Sequence, residues 1–262
     1  MKYDLITSQK IKYYLRTHTF GQKTYAFWSV GSTNEFACQL ARRNEQEGTI
    51  VIAEEQSSGR GRLKRKWHSQ FGLGLWFSII LRPPIQAIKA GFYPYLAGVS
   101  VAQAIENKIG LKPSFKWPND LHLNNKKFCG ILSEVDFIDN RVNFIILGIG
   151  INVDHKRENF PKELLNYATS LRIEARAEFD RITLLAEIIY LLEKNYYVSN
   201  EYGFEMIIQN WKKRCPSLGE NIHIIQGDYH YYGKFENLDE NGCLLLRTED
   251  GSLKKIVAGD FI

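Results

Sequence analysis

Apolar residues along this chain recur at two periods, and the changes between them mark its elements. Before residue 25 the pattern supports at most a short helix and a strand leading to Phe27-Trp28. Ser32-Thr33-Asn34-Glu35 then has the Ser-x-x-Glu form of a capping box, and Phe36, Ala37, Leu40 and Ala41 follow at helical spacing, with Gly48 suited to the stop. A buried strand over 49–53 delivers Glu54-Glu55-Gln56 at its end, and a second strand over 72–81 closes at Pro83-Pro84. Leu96, Val99, Ala102, Ala104 and Ile105 predict a helix over 90–109 that packs on the sheet.

Residues 114–120 read as a strand that stops abruptly, because Pro118 restricts its predecessor and removes a ladder donor. Asn124-Asn125-Lys126 predicts a hairpin between 121–123 and 127–135, since asparagine tolerates positive φ. A turn at Asp139-Asn140 leads to a long buried strand over 142–153, interrupted by Gly148 and Gly150. Helices are expected over 180–198 and 201–214. From Asn221 onward the pattern changes to four short strands, 222–225, 231–236, 243–247 and 253–257, so a small barrel is expected after an α/β body.

At 262 residues and 44% hydrophobic, the chain can bury one sizeable core and a small second one. Its four cysteines contain no Cys-x-x-Cys pair, which fits neither a zinc site nor a disulfide framework and predicts reduced thiols in a cytoplasm. Residues 1–15 lack the apolar core of a leader, and the longest apolar run, 144–153, is too short to span a bilayer, so no membrane association is expected. Six scattered histidines give no support to a metal cage or a Ser-His-Asp triad.

Charge is informative only locally. Lys and Arg number 34 against 29 acidic residues, a net of +5, and the stretch 59–67 alone holds Arg60, Arg62, Lys64, Arg65 and Lys66. The remainder is near neutral, which favours one compact anion over a long nucleic-acid track, although a solvated basic loop would look the same. Gly59 and Gly61 free the backbone to approach a ligand, and guanidinium groups match phosphate and carboxylate oxygens. Neither a Walker A motif nor a dinucleotide fingerprint is present. Lys127 reads either as an exposed strand-edge residue or as a cation near the basic loop. Lys116-Trp117-Pro118-Asn119-Asp120 reads either as a structural turn or as a polar cluster, and Gly148 and Gly150 can serve close packing.

Four motifs in one order tip these alternatives: Gly59-Arg60-Gly61-Arg62 with Lys66-Trp67, Lys116 to Asp120, Lys127-Phe128-Cys129-Gly130-Ile131-Leu132, and Gly148-Ile149-Gly150-Ile151-Asn152. Together they resemble the biotin protein ligases over about residues 28–258. The resemblance implies an α+β catalytic domain, a mixed β-sheet packed by helices as in class II aminoacyl-tRNA synthetases, over 1–217. It also implies a small SH3-like barrel over 218–262, and the form expected is the monofunctional one, without an amino-terminal DNA-binding domain.

The same resemblance assigns Ser32, Thr33, Asn34 and Gln56 to the ureido ring of biotin. Gly59, Arg60, Gly61 and Arg62 would close over biotin and its adenylate, and Lys127 would contact the reacting carboxylate and the α-phosphate. Arg60, Arg62, Trp67, Lys116, Asn119, Asp120 and Asn152 would line the nucleotide side; Lys127 and Arg62 are the expected catalytic residues. ATP and biotin are the implied substrates with Mg²⁺ as activator, Asp120 being the one protein group expected near the metal. Cys129 departs from the family's common alanine, with only a packing effect expected.

The implied partner is a biotin carboxyl carrier protein, with no nucleic acid and with an edge strand able to support a homodimer. Two rivals remain at this stage, a lipoate or octanoate ligase of related fold and a non-catalytic nucleic-acid-binding protein.

Overall fold

The computed structural model describes residues 5–261, apart from the side chains of Lys64 and Asp260. Residues 1–4 and 262, at the ends of the leader and domain expectations, lie outside the described residues. Helix α1 (Ser8–Tyr14) precedes β1 (Thr24–Val30), α2 (Thr33–Arg42), β2 (Ile50–Gln56) and β3 (Gly74–Leu81). Helix α3 (Tyr93–Ile109) then leads to β4 (Ser114–Lys116), β5 (Asp120–Leu123), β6 (Lys126–Ile138) and β7 (Arg141–Asn152). After α4 (Leu171–Ala175), α5 (Arg181–Tyr202) and α6 (Glu205–Lys212) comes a tail of β8 (Asn221–Gln226), β9 (Tyr229–Leu238), β10 (Leu244–Arg247), β11 (Leu253–Ile256) and β12 (Asp260–Phe261).

The first seven strands form one sheet in the order β1-β2-β3-β7-β6-β5-β4. Strands β1 and β2 run parallel, which α2 makes possible by carrying the chain back over the sheet, and the other pairs are antiparallel. Because side chains alternate along a strand, β7 sends Ile145, Leu147, Ile149 and Ile151 into the main core, which it shares with α3 and α5. Its other face carries Phe144 and Ile146, which pack under α2 with Ala37, Ala41, Val51 and Ile80. Beyond Ile146 that same face continues as Gly148 and Gly150, so the large side chains stop where α2 begins.

Several boundaries differ from the sequence reading for identifiable reasons. Helix α2 ends at Arg42 and not at Gly48, because the Arg82 guanidinium reaches across from the end of β3 to the Ala41 and Glu45 carbonyls (2.7 and 3.1 Å). The turn then uses Asn44 in the left-handed region (φ 60°). Residues 87–92 form a tighter helical turn ahead of α3. The strand expected over 114–120 is two strands, since Pro118 breaks the ladder and Asp120 opens β5. Asn124 and Asn125 both adopt positive φ in the β5–β6 hairpin.

The tail is a five-stranded sheet, order β11-β10-β9-β8-β12, one strand more than the pattern suggested. It docks on the body through Trp117, whose ring stacks on Phe261 (5.9 Å between centroids). The Trp117 indole N–H donates to the Tyr95 hydroxyl (2.9 Å), which donates to the Gly242 carbonyl (2.6 Å). Among the described residues no helix is long and apolar enough to cross a membrane.

Candidate active site

Gly148, Gly150 and Gly130 form the floor of a cavity of about 350 Å³ on the α2 side of the large sheet. Residues directly opposite one another share a face, so register alone builds two rows on this floor. One row runs Ser78, Gly148, Leu132; the next runs Trp76, Gly150, Gly130, Asp120, Lys116. A side chain on the floor would collide: a Cβ at Gly148 would lie 2.0 Å from Asn34 Oδ1, and one at Gly150 would lie 2.6 Å from Trp67 Nε1. The glycines noted in the sequence therefore seat two predicted site residues against backbone.

The first row ends at the amino terminus of α2. Ser32 caps that helix, its Oγ accepting the Glu35 N–H, as the capping-box pattern anticipated. The Thr33 N–H and hydroxyl both reach Gln56 Oε1 (2.9 and 3.1 Å), and Gln56 Nε2 donates to Ser69 Oγ (2.9 Å). Ser78 Oγ lies 2.8 Å from Thr33 Oγ1 and 2.6 Å from Asn34 Oδ1, while Asn34 Nδ2 donates to Glu134 Oε2 (2.8 Å). This end is a network of hydroxyls and amides backed by the Glu134 carboxylate, suited to a neutral polar group. Sequence reading missed Ser69, Ser78 and Glu134. Ser78 carried a signal, as the lone polar residue in the buried run Leu75-Trp76-Phe77-Ser78-Ile79-Ile80-Leu81.

The basic loop covers the middle of the cavity. Arg60 and Lys66 pair as a bridge, the Gly61 N–H donates to the Arg65 carbonyl (2.7 Å), and the Trp67 N–H donates to the Gly59 carbonyl (2.9 Å). Arg60, Gly61, Arg62, Arg65, Lys66 and Trp67 all line the cavity, with Arg60, Arg65 and Lys66 exposed at its rim. Gly59 does not line it. It is buried behind the wall, where a Cβ would lie 2.6 Å from the Trp67 carbonyl oxygen, so the loop's shape requires a glycine there. Arg62 Nη1 donates to Asn119 Oδ1 (3.1 Å), and the guanidinium also lies 3.4 Å from the Gly259 carbonyl of the tail.

The second row ends in charge. Lys127 Nζ stands 2.7 Å from Asp120 Oδ1, a tight ion pair whose angle is not that of a hydrogen bond, and 5.1 Å from the centre of the Trp67 ring. Lys127 is therefore no strand-edge ornament: it lines the cavity with Lys116, Asn119, Asp120 and Asn152. Two of these amides also brace the walls, Asn119 Nδ2 donating to the Ile131 carbonyl (2.6 Å) and Asn152 Nδ2 to the Thr169 carbonyl (3.0 Å). His122 on β5 lines the same end, and burial lowers its pKa. Cys129, in the main core, has its thiol pKa pushed up by burial, and packs as expected.

The remaining wall comes from residues 154–170, for which the sequence pattern offered nothing. Lys127 pairs through its backbone with Tyr167 and Thr169 (2.8 and 2.9 Å), bringing Phe160, Leu164, Tyr167 and Ala168 onto the cavity. Phe160 stacks on the fully buried His155 (5.0 Å), which in turn meets Trp76 edge-on (5.8 Å). Burial drives the His155 imidazole down to a pKa of about 3, so it is a neutral ring used for packing.

Comparison with known proteins gives the same picture from outside. A model for the biotin/lipoate A/B protein ligase family matches residues 27–152, and one for the biotin protein ligase C-terminal domain matches 217–262. The bifunctional ligase/repressor BirA of Bacillus subtilis is 39% identical over 255 residues, covering 97% of this chain and 78% of that protein. The biotin–[acetyl-CoA-carboxylase] ligase of Paracoccus denitrificans is 30% identical over 84% of this chain and 92% of its own length. The solved structure of the Aquifex aeolicus biotin protein ligase with biotin and ATP superposes with a TM-score of 0.77 at 32% identity, covering 92% of this chain and 98% of that one.

Proposed function

This chain belongs to the biotin/lipoate A/B protein ligase family, and from that membership we propose how its residues divide the work of biotin activation and transfer. It is an ATP-dependent biotin protein ligase. A biotin carboxylate oxygen attacks the α-phosphorus of ATP, the bond to pyrophosphate breaks, and biotinyl-5′-AMP forms. An acceptor lysine then attacks the anhydride carbonyl carbon, AMP leaves with the bonding electrons, and the amine gives up a proton. The acceptor is a biotin carboxyl carrier protein.

The observation that carries the residue assignment is the polarity of the cavity, neutral donors and acceptors at one end and fixed cations at the other. Thr33, Asn34 and Gln56, braced by Ser78, hold the ureido ring. Lys127 and Arg62 stand where the carboxylate meets the α-phosphate. Two anions there repel, and at about 4 Å with an effective dielectric near 20 each opposite charge offsets on the order of 4 kcal/mol before desolvation. Arg60, Trp67, Lys116, Asn119, Asp120 and Asn152 line the nucleotide.

Magnesium fits this end without a dedicated cage. No group of three or more His, Cys, Asp or Glu capable of holding a metal occurs among the described residues, and a Mg²⁺ that keeps several waters needs only one or two carboxylates beside substrate phosphates. Asp120 is the carboxylate available. When bound, the ion supplies neutralising charge to the phosphates.

Residues 1–217 form the catalytic unit and 218–262 the SH3-like tail in this reading. Its location is the cytoplasm, in keeping with four free thiols. No nucleic acid is required, because the basic loop faces the cavity. A homodimer would use the β1 edge, where Trp28 is 69% exposed.

Lys127→Ala tests the central assignment: biotin-dependent pyrophosphate release should fall by about 10²- to 10³-fold with the fold unchanged by circular dichroism. A rate within a few-fold of the parent would refute it. Lipoate offered in place of biotin should release no pyrophosphate, which separates the reading from its nearest rival.

A further inference from the structure

We propose that Glu134 sets the polarity of the biotin end of the cavity: its carboxylate fixes which way the Asn34 amide faces, and through Ser78 this makes the Thr33 hydroxyl an acceptor for a ureido N–H. The proposal rests on the assignment of this end to the ureido ring. Glu134 acts through Asn34, so it is a positioning residue.

Strand alternation brings Glu134 there. On β6, Leu132 lies opposite Gly148 and Glu134 opposite Ile146, so both stand on the face of the sheet that α2 covers. Asn34, in the first turn of α2, comes down on Gly148, where an added Cβ would lie 2.0 Å from its Oδ1. Its Nδ2 donates to Glu134 Oε2 (2.8 Å) and to the Leu132 carbonyl (3.3 Å), while its Oδ1 accepts from Ser78 Oγ (2.6 Å). The second Glu134 oxygen, Oε1, is 4.0 Å from Arg60 Nη2, a partly exposed ion pair.

Gln56, Thr33, Ser78 and Asn34 form a chain in which each side chain can face either way, because a hydroxyl or an amide both donates and accepts. The chain ends on groups that cannot. At one end the Thr33 backbone N–H only donates, so Gln56 turns Oε1 toward it (2.9 Å), and the Thr33 hydroxyl gives its proton to the same oxygen (3.1 Å). At the other end a carboxylate and a main-chain carbonyl only accept, so Asn34 must turn Nδ2 toward them and Oδ1 toward Ser78. Ser78 has one proton and two oxygens within reach, Asn34 Oδ1 at 2.6 Å and Thr33 Oγ1 at 2.8 Å. The amide oxygen, at the shorter distance, takes that proton, and the lone pairs of Thr33 Oγ1 are left for the cavity that Thr33 lines. With the Asn34 amide reversed, Nδ2 would donate to Ser78, the Ser78 proton would pass to Thr33, and it would compete there with a ureido N–H.

The test compares Glu134→Leu, which removes the acceptor, with Glu134→Gln, which keeps an oxygen for Asn34 but no charge. In calorimetry of biotin binding to the full chain, Glu134→Leu should weaken affinity about tenfold, the scale of one misdirected hydrogen bond, while Glu134→Gln stays within about threefold of the parent. In steady-state pyrophosphate release the biotin KM of Glu134→Leu should rise while kcat and the ATP KM hold. Glu134→Ala guards against a folding defect in the leucine variant. Parent-like biotin affinity in Glu134→Leu overturns the proposal. So does a Glu134→Gln as weak as Glu134→Leu, since the charge facing Arg60 would then be the cause. A loss spread over kcat and the ATP KM also overturns it, in favour of a general loosening of the sheet. If Thr33→Val and Asn34→Ala bind biotin as the parent does, the placement of the ureido ring fails instead, which is a different result.

Discussion

A single methyl group added at position 150 should be costly. The Cβ of Gly150→Ala would lie 2.6 Å from Trp67 Nε1, so the indole must lift from its seat, at roughly 1–3 kcal/mol of overpacking. Trp67 would then lose its place against Lys127. The expected outcome is ATP affinity lowered about tenfold with a changed tryptophan fluorescence, and an unaltered spectrum would show the ring had not moved. His155 gives a prediction in pH. Its folded pKa, about 3, lies below the unfolded value of about 6.5, so its contribution to stability is full above pH 6.5 and is lost as pH falls toward 3. The loss is about 1.4 kcal/mol per pH unit across that window. In urea titrations at stepped pH, His155→Phe should flatten this part of the acid slope. Residue-level legibility was uneven for a physical reason. The glycines and the basic loop announced themselves by type, whereas Ser78 and Glu134 matter only through Asn34, which the fold brings beside them from α2.

Elements whose ends are set locally were readable from local sequence. Asn124-Asn125 stated the β5–β6 turn and Ser32 stated the start of α2. The end of α2 was not readable, because its cap is an arginine forty residues away on another element. Arg82 donates to the Ala41, Glu45 and Asn143 carbonyls, so Arg82→Leu should destabilise the protein by about 1–3 kcal/mol, with fraying confined to the 38–46 region in hydrogen exchange. Protection unchanged over 38–46 would show that the helix ends there for another cause. Residues 154–170 were illegible for a related reason: short turns without periodicity are held in place by the backbone of Lys127 rather than by a pattern of their own.

At the scale of the whole molecule, two of the ties between distant parts lead to predictions. The buried Glu54 carboxylate on β2 pairs with Arg181 at the start of α5 (2.7 Å) and accepts the Ile6 N–H (2.6 Å), so one charge pins sheet, helix and amino-terminal segment. Removing Glu54 leaves the buried Arg181 guanidinium without its carboxylate, the Gly74 carbonyl (3.1 Å) being no substitute for a charge. Glu54→Ala should therefore lower unfolding free energy by about 3–5 kcal/mol, measured by denaturant melting. The other tie is Arg62, which links the loop to Asn119 and to the tail carbonyl of Gly259. Arg62→Gly should let biotinyl-AMP escape, seen as adenylate trapped by free amine, and retention equal to the parent would remove that role.

The glycine floor also limits what protein engineers can change. Beneath Gly148 and Gly150 there is only β-strand backbone, so the bottom of the cavity cannot be dug deeper by deleting atoms. A variant meant to accept a bulkier vitamin analogue must gain its room sideways, by trimming flanking groups such as Leu132 or Thr33, and selectivity in this enzyme is a property of its flanks.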